Sequence, residues 1–192
     1  ADFNGPGFSV TGKADYMGNA LTLGPSGIAR FKAAELLLDI DSESSMQALM
    51  PVVNGTPLKQ TLGESVYSLQ GEGPVAVHVG MQFPLKAVNH EKEIDGSIDF
   101  KGAVIRAPLW KLAMQQAKGK ASFTQQGFYA KALSGIIDGN PVKLDLRVGK
   151  AYTQNTNKHF EATVRGDFGT DYLLNFDPSL NELKKALQGK SP

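Results

Sequence analysis

The sequence predicts a mainly β protein built on one long, twisted antiparallel sheet with two short helices. Three observations predict this fold class. Apolar and polar residues alternate with period two through most of the 192 residues, which is typical of strands that bury only one face. Turn-forming residues separate these segments at short intervals, as at 24–27 and 138–141. Only two stretches place their apolar residues at helical spacing.

The clearest predicted strands are residues 75–83, 94–100, 142–148, 160–165 and 172–176. In residues 142–148, four apolar residues alternate with three charged ones. Each such segment presents one apolar face and one polar face, so each is expected to be half-buried. With the turns between them, these segments indicate roughly a dozen short strands, arranged mostly as a meander.

Two segments have helical spacing instead. The first carries Met46, Leu49, Met50 and Val53 after serines that can cap a helix, although Pro51 is expected to kink or end a long helix here. The second carries Leu180, Leu183 and Leu187, and Gly189 can terminate it. Helix is therefore expected at about 44–55 and 178–188.

A repeat connects these helices to the strands that precede them. Residues 37–41 resemble residues 173–177, and each is followed by a polar turn, a helix and a Gly-x-Pro-like exit. The offset between Met46 and Leu180 is 134 residues, which exceeds the period of the common solenoid repeats. We expect residues 1–192 to form a single β-rich segment of a longer repeat protein, with module boundaries near 41–57 and 177–192.

Composition excludes several classes of protein. The net charge is +1 and charges of both signs are interleaved, whereas a nucleic-acid-binding protein is expected to carry a basic face. The chain has no cysteine, which excludes disulfides, thiolate nucleophiles and cysteine-based zinc sites. No apolar run approaches the ~20 residues of a membrane span, and no signal peptide is visible at the start of the sequence.

Candidate sites for chemistry are weak. Residues 7–14 resemble a phosphate-binding loop, but Ala14 stands where a hydroxyl is needed, and the segment alternates like a strand. His78, His90 and His159 are scattered, and the pairs Asp39–Asp41 and Asp95–Asp99 are typical of the polar face of a strand. The sequence therefore predicts no catalytic residue, no metal site and no cofactor, and we expect the protein not to be an enzyme.

The apolar face of so long a sheet must be buried by some partner. A sandwich or a closed barrel would bury it against another sheet, whereas a long curved sheet with few helices would leave a groove suited to acyl chains. Composition does not separate these alternatives, but the repeat favours the elongated one.

One recurring motif resembles the repeating unit of the AsmA-like envelope proteins, in particular their YhdP type. Glycines, apolar residues and prolines recur along residues 93–141 in the order and spacing of that unit. The matching positions are Gly96, Phe100, Pro108, Gly119, Phe123, Gly127, Leu133, Gly135, Gly139 and Pro141. Residues 37–58 and the C-terminal end resemble the module boundaries of the same family, so that the resemblance extends over about residues 30–192.

The resemblance implies a long periplasmic protein, tethered to the inner membrane by a segment outside this chain, whose twisted sheet forms an open hydrophobic groove. Such proteins are thought to carry phospholipids between the two membranes and to support the outer-membrane permeability barrier. The implied partners are phospholipids, adjacent repeats of the full-length chain and envelope proteins at the membranes, with no nucleic acid.

The predicted groove lining is the apolar face of the strands named above. It comprises Val75, Val77, Val79, Met81, Phe83, Ile98, Phe100, Val142, Leu144, Leu146, Phe160, Ala162 and Val164. The alternative is a closed β-sandwich that serves as a structural or protein-interaction module of the envelope, in which the same residues are simply core.

Overall fold

The computed structural model describes most of the chain. The described residues are 2–3, 5–16, 18–32, 34–55, 69–85, 92–108, 112–149, 151–153 and 160–167. The predicted helix at 178–188, the predicted strand at 172–176 and the second module boundary lie outside them. No helix in the described ranges has the length and apolar character needed to cross a bilayer.

Strands dominate these residues, and one helix interrupts them. In chain order the elements are β1 (Asp2–Phe3), β2 (Phe8–Tyr16), β3 (Asn19–Ile28), β4 (Glu35–Ser45), α1 (Met46–Gly55), β5 (Gln70–Glu72), β6 (Pro74–Pro84), β7 (Glu93–Ala107), β8 (Leu112–Thr124), β9 (Gly127–Ile137), β10 (Asn140–Val148) and β11 (Phe160–Gly166). The strands are longer than predicted, since β7 has 15 residues and β8 has 13.

All described strands belong to one antiparallel sheet. Its order is β1-β2-β3-β4-β6-β7-β8-β9-β10-β11, and β5 pairs with the far half of β7. The sheet is open, because β1 and β11 lie at its two ends and are not paired with each other. The predicted mainly β fold with an open antiparallel sheet is confirmed. The closed-sandwich alternative is wrong for the described strands, because they contribute no second sheet.

The meander follows from local turn chemistry. Between β9 and β10, Asp138 and Gly139 both have positive φ, +48° and +80°, and Ile137 pairs with Asn140 across them. Two positive-φ residues in a two-residue connection match the right-handed twist of a hairpin. An Asp-Gly pair adopts this conformation readily, so the sequence itself sets the register of these two strands.

One extra residue in each of three neighbouring strands bends the sheet. These residues are Gly102 in β7, Gln116 in β8 and Ala132 in β9, because the pairing registers on either side of each differ by one. All three have positive φ, +100°, +52° and +53° respectively. Bulges of this kind bend a strand and increase its twist, so the sheet curves around its apolar face.

Each extra residue also reverses which residues of its strand face the concave side. In β7, Ile98 and Phe100 face inward before Gly102, and Ala103 and Ile105 face inward after it. The same change of parity separates Met114 from Ala117 in β8 and Ala130 from Leu133 in β9. The concave face therefore stays apolar along the full length of each strand, although strict alternation is broken.

Helix α1 begins where β4 ends. The Ser45 hydroxyl accepts a hydrogen bond from the Ala48 N–H at 3.3 Å, which is the expected N-cap arrangement. The Gly73 carbonyl accepts the Met46 N–H at 2.9 Å, and the Gly73 N–H donates to Gln47 Oε1 at 3.1 Å. The predicted helix at 44–55 is confirmed, but Pro51 lies within it and does not end it.

Candidate functional site

The concave face of the sheet forms a groove of about 820 Å³. Side chains from α1 and from most of the strands between β2 and β11 line it. Nearly all of them are apolar, and the polar or charged members besides Tyr16 are Asp15, Asn19, Ser42, Ser44, Lys92 and Gln125. A long apolar surface with few polar groups can remove hydrocarbon from water but offers little means of binding a polar molecule.

Most of the residues predicted to line a groove do lie on this surface. Val77, Val79, Met81, Phe83, Ile98, Phe100, Leu144, Leu146, Phe160, Ala162 and Val164 line it. Val75 and Val142 do not line it; both are buried in the hydrophobic core, with exposures of 1% and 4%. Whether any of these side chains contacts a lipid stays a prediction.

The prediction missed two groups of lining residues. The first belongs to the N-terminal strands and the helix and includes Leu21, Leu23, Ile40, Leu49 and Met50. The second follows the bulges and includes Ile105, Met114, Leu133 and Ile137. A spacing of three between successive apolar residues, as from Met114 to Ala117, was the available signal of a bulge.

The concave face has two regions that differ in coverage. We call the buried region the core patch; its members include Met46, Val75, Phe100, Ala117, Leu133 and Val142. Leu49 and Met50 of α1 pack against this cluster. We call the half-buried region the open patch; it consists of Val79, Met81, Ile98, Leu144, Leu146 and Val164.

A polar cluster holds the start of α1 against β3. The side-chain amide of Asn19 donates to the carbonyls of Tyr16 (3.2 Å) and Ala48 (3.4 Å). The Ser44 hydroxyl donates to Asn19 Oδ1. Asn19 is only 6% exposed, so these bonds satisfy an amide that would otherwise be costly to bury. The cluster therefore positions α1 along one side of the groove.

Charged groups lie mainly on the outer, convex face. Lys101 pairs with Glu43 at 2.7 Å across β7 and β4, and Arg106 pairs with Glu72 at 2.6 Å. These side chains are exposed to water, so each ion pair contributes little to stability. The apolar groove and the charged outer face are thus two sides of the same strands, as the alternation requires.

The bulge at Ala132 has its own electrostatic support. Its N–H donates to Asp145 Oδ1 at 2.6 Å, and Arg165 Nη1 lies 2.6 Å from Asp145 Oδ2. The hydrogen bond from Ala132 and then the bond from Arg165 hold the pKa of Asp145 below its usual value of 3.8. An ionised Asp145 therefore occupies the position where the ladder between β9 and β10 is interrupted.

Of the motifs considered as candidate sites for chemistry, only one within the described residues lies in a cluster of side chains that could bind a ligand. Residues 8–16 of the phosphate-loop-like segment form β2, and Asp95 and Asp99 lie on the outer face of β7. His90 and His159 are outside the described residues. The exception is His78, whose Nδ1 lies 3.0 Å from Asp41 Oδ1 and 3.7 Å from Asp39 Oδ1. No spacing in the sequence indicated this cluster, because Asp41 of β4 and His78 of β6 are 37 positions apart in the chain.

Comparison with known proteins identifies one family. The model of the family described as "YhdP protein" matches residues 11–192. No curated protein and no solved structure matches the chain.

Proposed function

The chain belongs to the YhdP family, and on this premise we propose that it shields phospholipid acyl chains in its concave groove as they move between the membranes of a bacterial envelope. The family is of an envelope, lipid-transport type. The finer parts of the proposal are the phospholipid cargo, the periplasmic location and the tether to the inner membrane through a segment outside this chain. We further propose that the role is not enzymatic and that it supports the outer-membrane permeability barrier.

The observation that carries the proposal is the open patch. Its leucines, valines, methionine and isoleucine are only half-buried and line the same groove inside a bent sheet. Apolar patches of this kind in water usually mark a binding surface. A concave patch with almost no polar lining suits a ligand that is itself mostly hydrocarbon.

The mechanism is passive desolvation. Each Å² of hydrocarbon that leaves water for the groove contributes about 25 cal/mol, and the open side leaves room for a polar headgroup to stay hydrated. Because the strands run in chain order, adjacent repeats of a longer chain could continue the same surface. No step in this mechanism needs a cofactor or a catalytic residue, and any direction of movement must come from the partners at the membranes.

The proposal can be tested by asking what the protein carries. We would secrete the chain into the periplasm of a Gram-negative host, purify it without detergent and quantify phospholipid per protein by mass spectrometry. Leu144→Asp places a carboxylate on the groove side of β10, and Lys143→Asp places one on the outer face of the same strand. We expect phospholipid with the wild type and with Lys143→Asp, and a large loss with Leu144→Asp.

The fold of each variant is checked by circular dichroism before its lipid is counted. A wild type that carries no more phospholipid than an unrelated periplasmic protein would contradict the proposal. So would a folded Leu144→Asp variant with the same lipid content as the wild type, because the open patch would then not be where acyl chains lie.

A further inference from the structure

A second feature of the molecule lies on the outer face, away from the groove. Asp39 and Asp41 of β4 and His78 of β6 bring three ligand atoms together, all within 4.8 Å of one another. Asp41 and His78 are direct partners across the strand pair. Asp39 is opposite Gly80, and its carboxylate carbon lies over Gly24 of β3, 2.8 Å from where a Cβ would stand.

The distances fit a shared metal ion. With bonds of about 2.1 Å, two ligand atoms on a tetrahedral zinc ion lie about 3.4 Å apart. His78 Nδ1 is 3.0 Å from Asp41 Oδ1 and 3.7 Å from Asp39 Oδ1, so the observed values lie on either side of that separation. Small rotations of the three side chains, which are 44–61% exposed, would suffice to place one ion among them.

The surrounding charge also favours a cation. No lysine or arginine in the described ranges forms an ion pair with Asp39 or Asp41, whereas Glu43 on the same strand is paired with Lys101. On the next strand, Asp95 Oδ1 lies close over Gly80, 3.0 Å from where a Cβ would stand. Asp95 thus adds a third carboxylate on the strand next to His78.

We propose that Asp39, Asp41 and His78 bind a divalent transition-metal ion of the zinc class. One imidazole nitrogen with two carboxylate oxygens suits Zn²⁺ better than Ca²⁺ or Mg²⁺, which prefer all-oxygen sites. Three protein ligands leave a fourth position for water. The ion would link β4 to β6, the two strands whose connection contains α1 and β5.

The test uses the whole chain and zinc chloride alone. Isothermal titration measures affinity and stoichiometry, and Co²⁺ substitution reports tetrahedral coordination through its visible absorption. We expect one Zn²⁺ per chain and a higher melting temperature with zinc. His78→Ala and Asp41→Asn should each weaken binding by at least about 100-fold, since loss of a residue that only hydrogen-bonds to a metal ligand already costs about 10- to 100-fold.

Asp99→Asn is the matched control, because Asp99 is an exposed carboxylate on the same face but outside the cluster; its affinity should equal that of the wild type. Absence of zinc binding, or binding that both site variants retain, would overturn the proposal and leave the His78–Asp41 contact as a hydrogen bond only. Phospholipid content should not change in His78→Ala, so the result is independent of the groove.

Discussion

The core patch and the open patch belong to the same apolar face but differ in what covers them. Val75 and Leu133 in the core patch are each 1% exposed, whereas Val79 and Leu144 in the open patch are half-buried. Val75 and Val79 lie on one strand, four residues apart, and follow the same alternation. Leu49 and Met50 of α1 pack against the core patch, and so do Val79 and Leu144, but the latter two keep part of their own surface exposed. Alternation therefore identifies an apolar face, but it does not say whether that face is covered.

The largest expected effect is the replacement of a core-patch residue by a carboxylate. Leu133→Asp places a carboxylate at a position that is 1% exposed, and burying an unpaired charge costs several kcal/mol against a typical domain stability of about 5–15 kcal/mol. We expect the protein to unfold, as judged by circular dichroism and thermal melting. A cooperatively folded Leu133→Asp variant would remove the distinction between the two patches.

The same carboxylate in the open patch should be tolerated. In Leu144→Asp and Val79→Asp the charge can keep part of its hydration, so we expect a stability loss of about 1 kcal/mol with a native circular dichroism spectrum. If both variants unfold like Leu133→Asp, the open patch is core in solution. Val77, which lines the groove yet is 8% exposed, should fall between the two patches.

Truncation to alanine sharpens the comparison without introducing charge. Leu133→Ala leaves a cavity in packed surroundings and should cost about 2–5 kcal/mol. Leu144→Ala removes a side chain that already faces water on one side, so it should cost about 1 kcal/mol or less. Urea denaturation of both variants gives the two free energies, and equal losses would contradict the assigned difference in burial.

The bend between the patches can be tested at Gly102. A Cβ at Gly102 has nothing within 4 Å, but φ is +100°, so Gly102→Ala isolates backbone strain and should destabilise the fold by about 1–2 kcal/mol. Gly12 also has open space around its Cβ position, and its φ is not in the positive range. Gly12→Ala is therefore the control and should be neutral or slightly stabilising. Equal changes in the free energy of unfolding in the two variants would show that the backbone at Gly102 accepts a side chain without strain, which would contradict the prediction.

The smallest effect concerns acid stability at the Ala132 bulge. The pKa of folded Asp145 is lowered, so its contribution to stability is complete above its unfolded pKa and is lost as pH falls below about 3.8. Asp145→Asn should remove this pH-dependent part. Wild type and variant should therefore converge in melting temperature as pH falls toward 2, and a constant difference between pH 6 and pH 2 would contradict the assignment.

Much of the architecture could be predicted from the sequence. Residues 75–83 and 142–148 alternate cleanly, and both are strands; helical spacing and serine caps located α1. The positions of the bulges could not be predicted from the sequence, because a break in the period-two alternation also occurs where a strand ends. Hence β7 was predicted to end at Phe100, although it continues to Ala107 with reversed parity.

The side-chain clusters were harder still. The approach of His78 to Asp41 depends on the register between β4 and β6, and these strands are joined through the 28 residues 46–73 instead of a short hairpin loop that would set it. Coverage of the core patch depends on where α1 packs, which its own amphipathic pattern does not specify. Local chemistry therefore determines the strands, whereas pairing across long connections determines the site.

The strand order has a consequence for how the chain folds. Most of the paired strands are neighbours in sequence, so most strand pairs can form before later residues of the chain have been synthesised. Two pairings of the described strands are exceptions: β5 pairs with β7, and the pairing of Ser45 with Pro74 must close the 28 residues 46–73. Among strands that are adjacent in the sheet order, β4 and β6 have the longest connection and therefore the largest loop-closure entropy. We expect the β2–β4 and β6–β10 meanders to form first and the β4–β6 junction to be the rate-limiting step of folding.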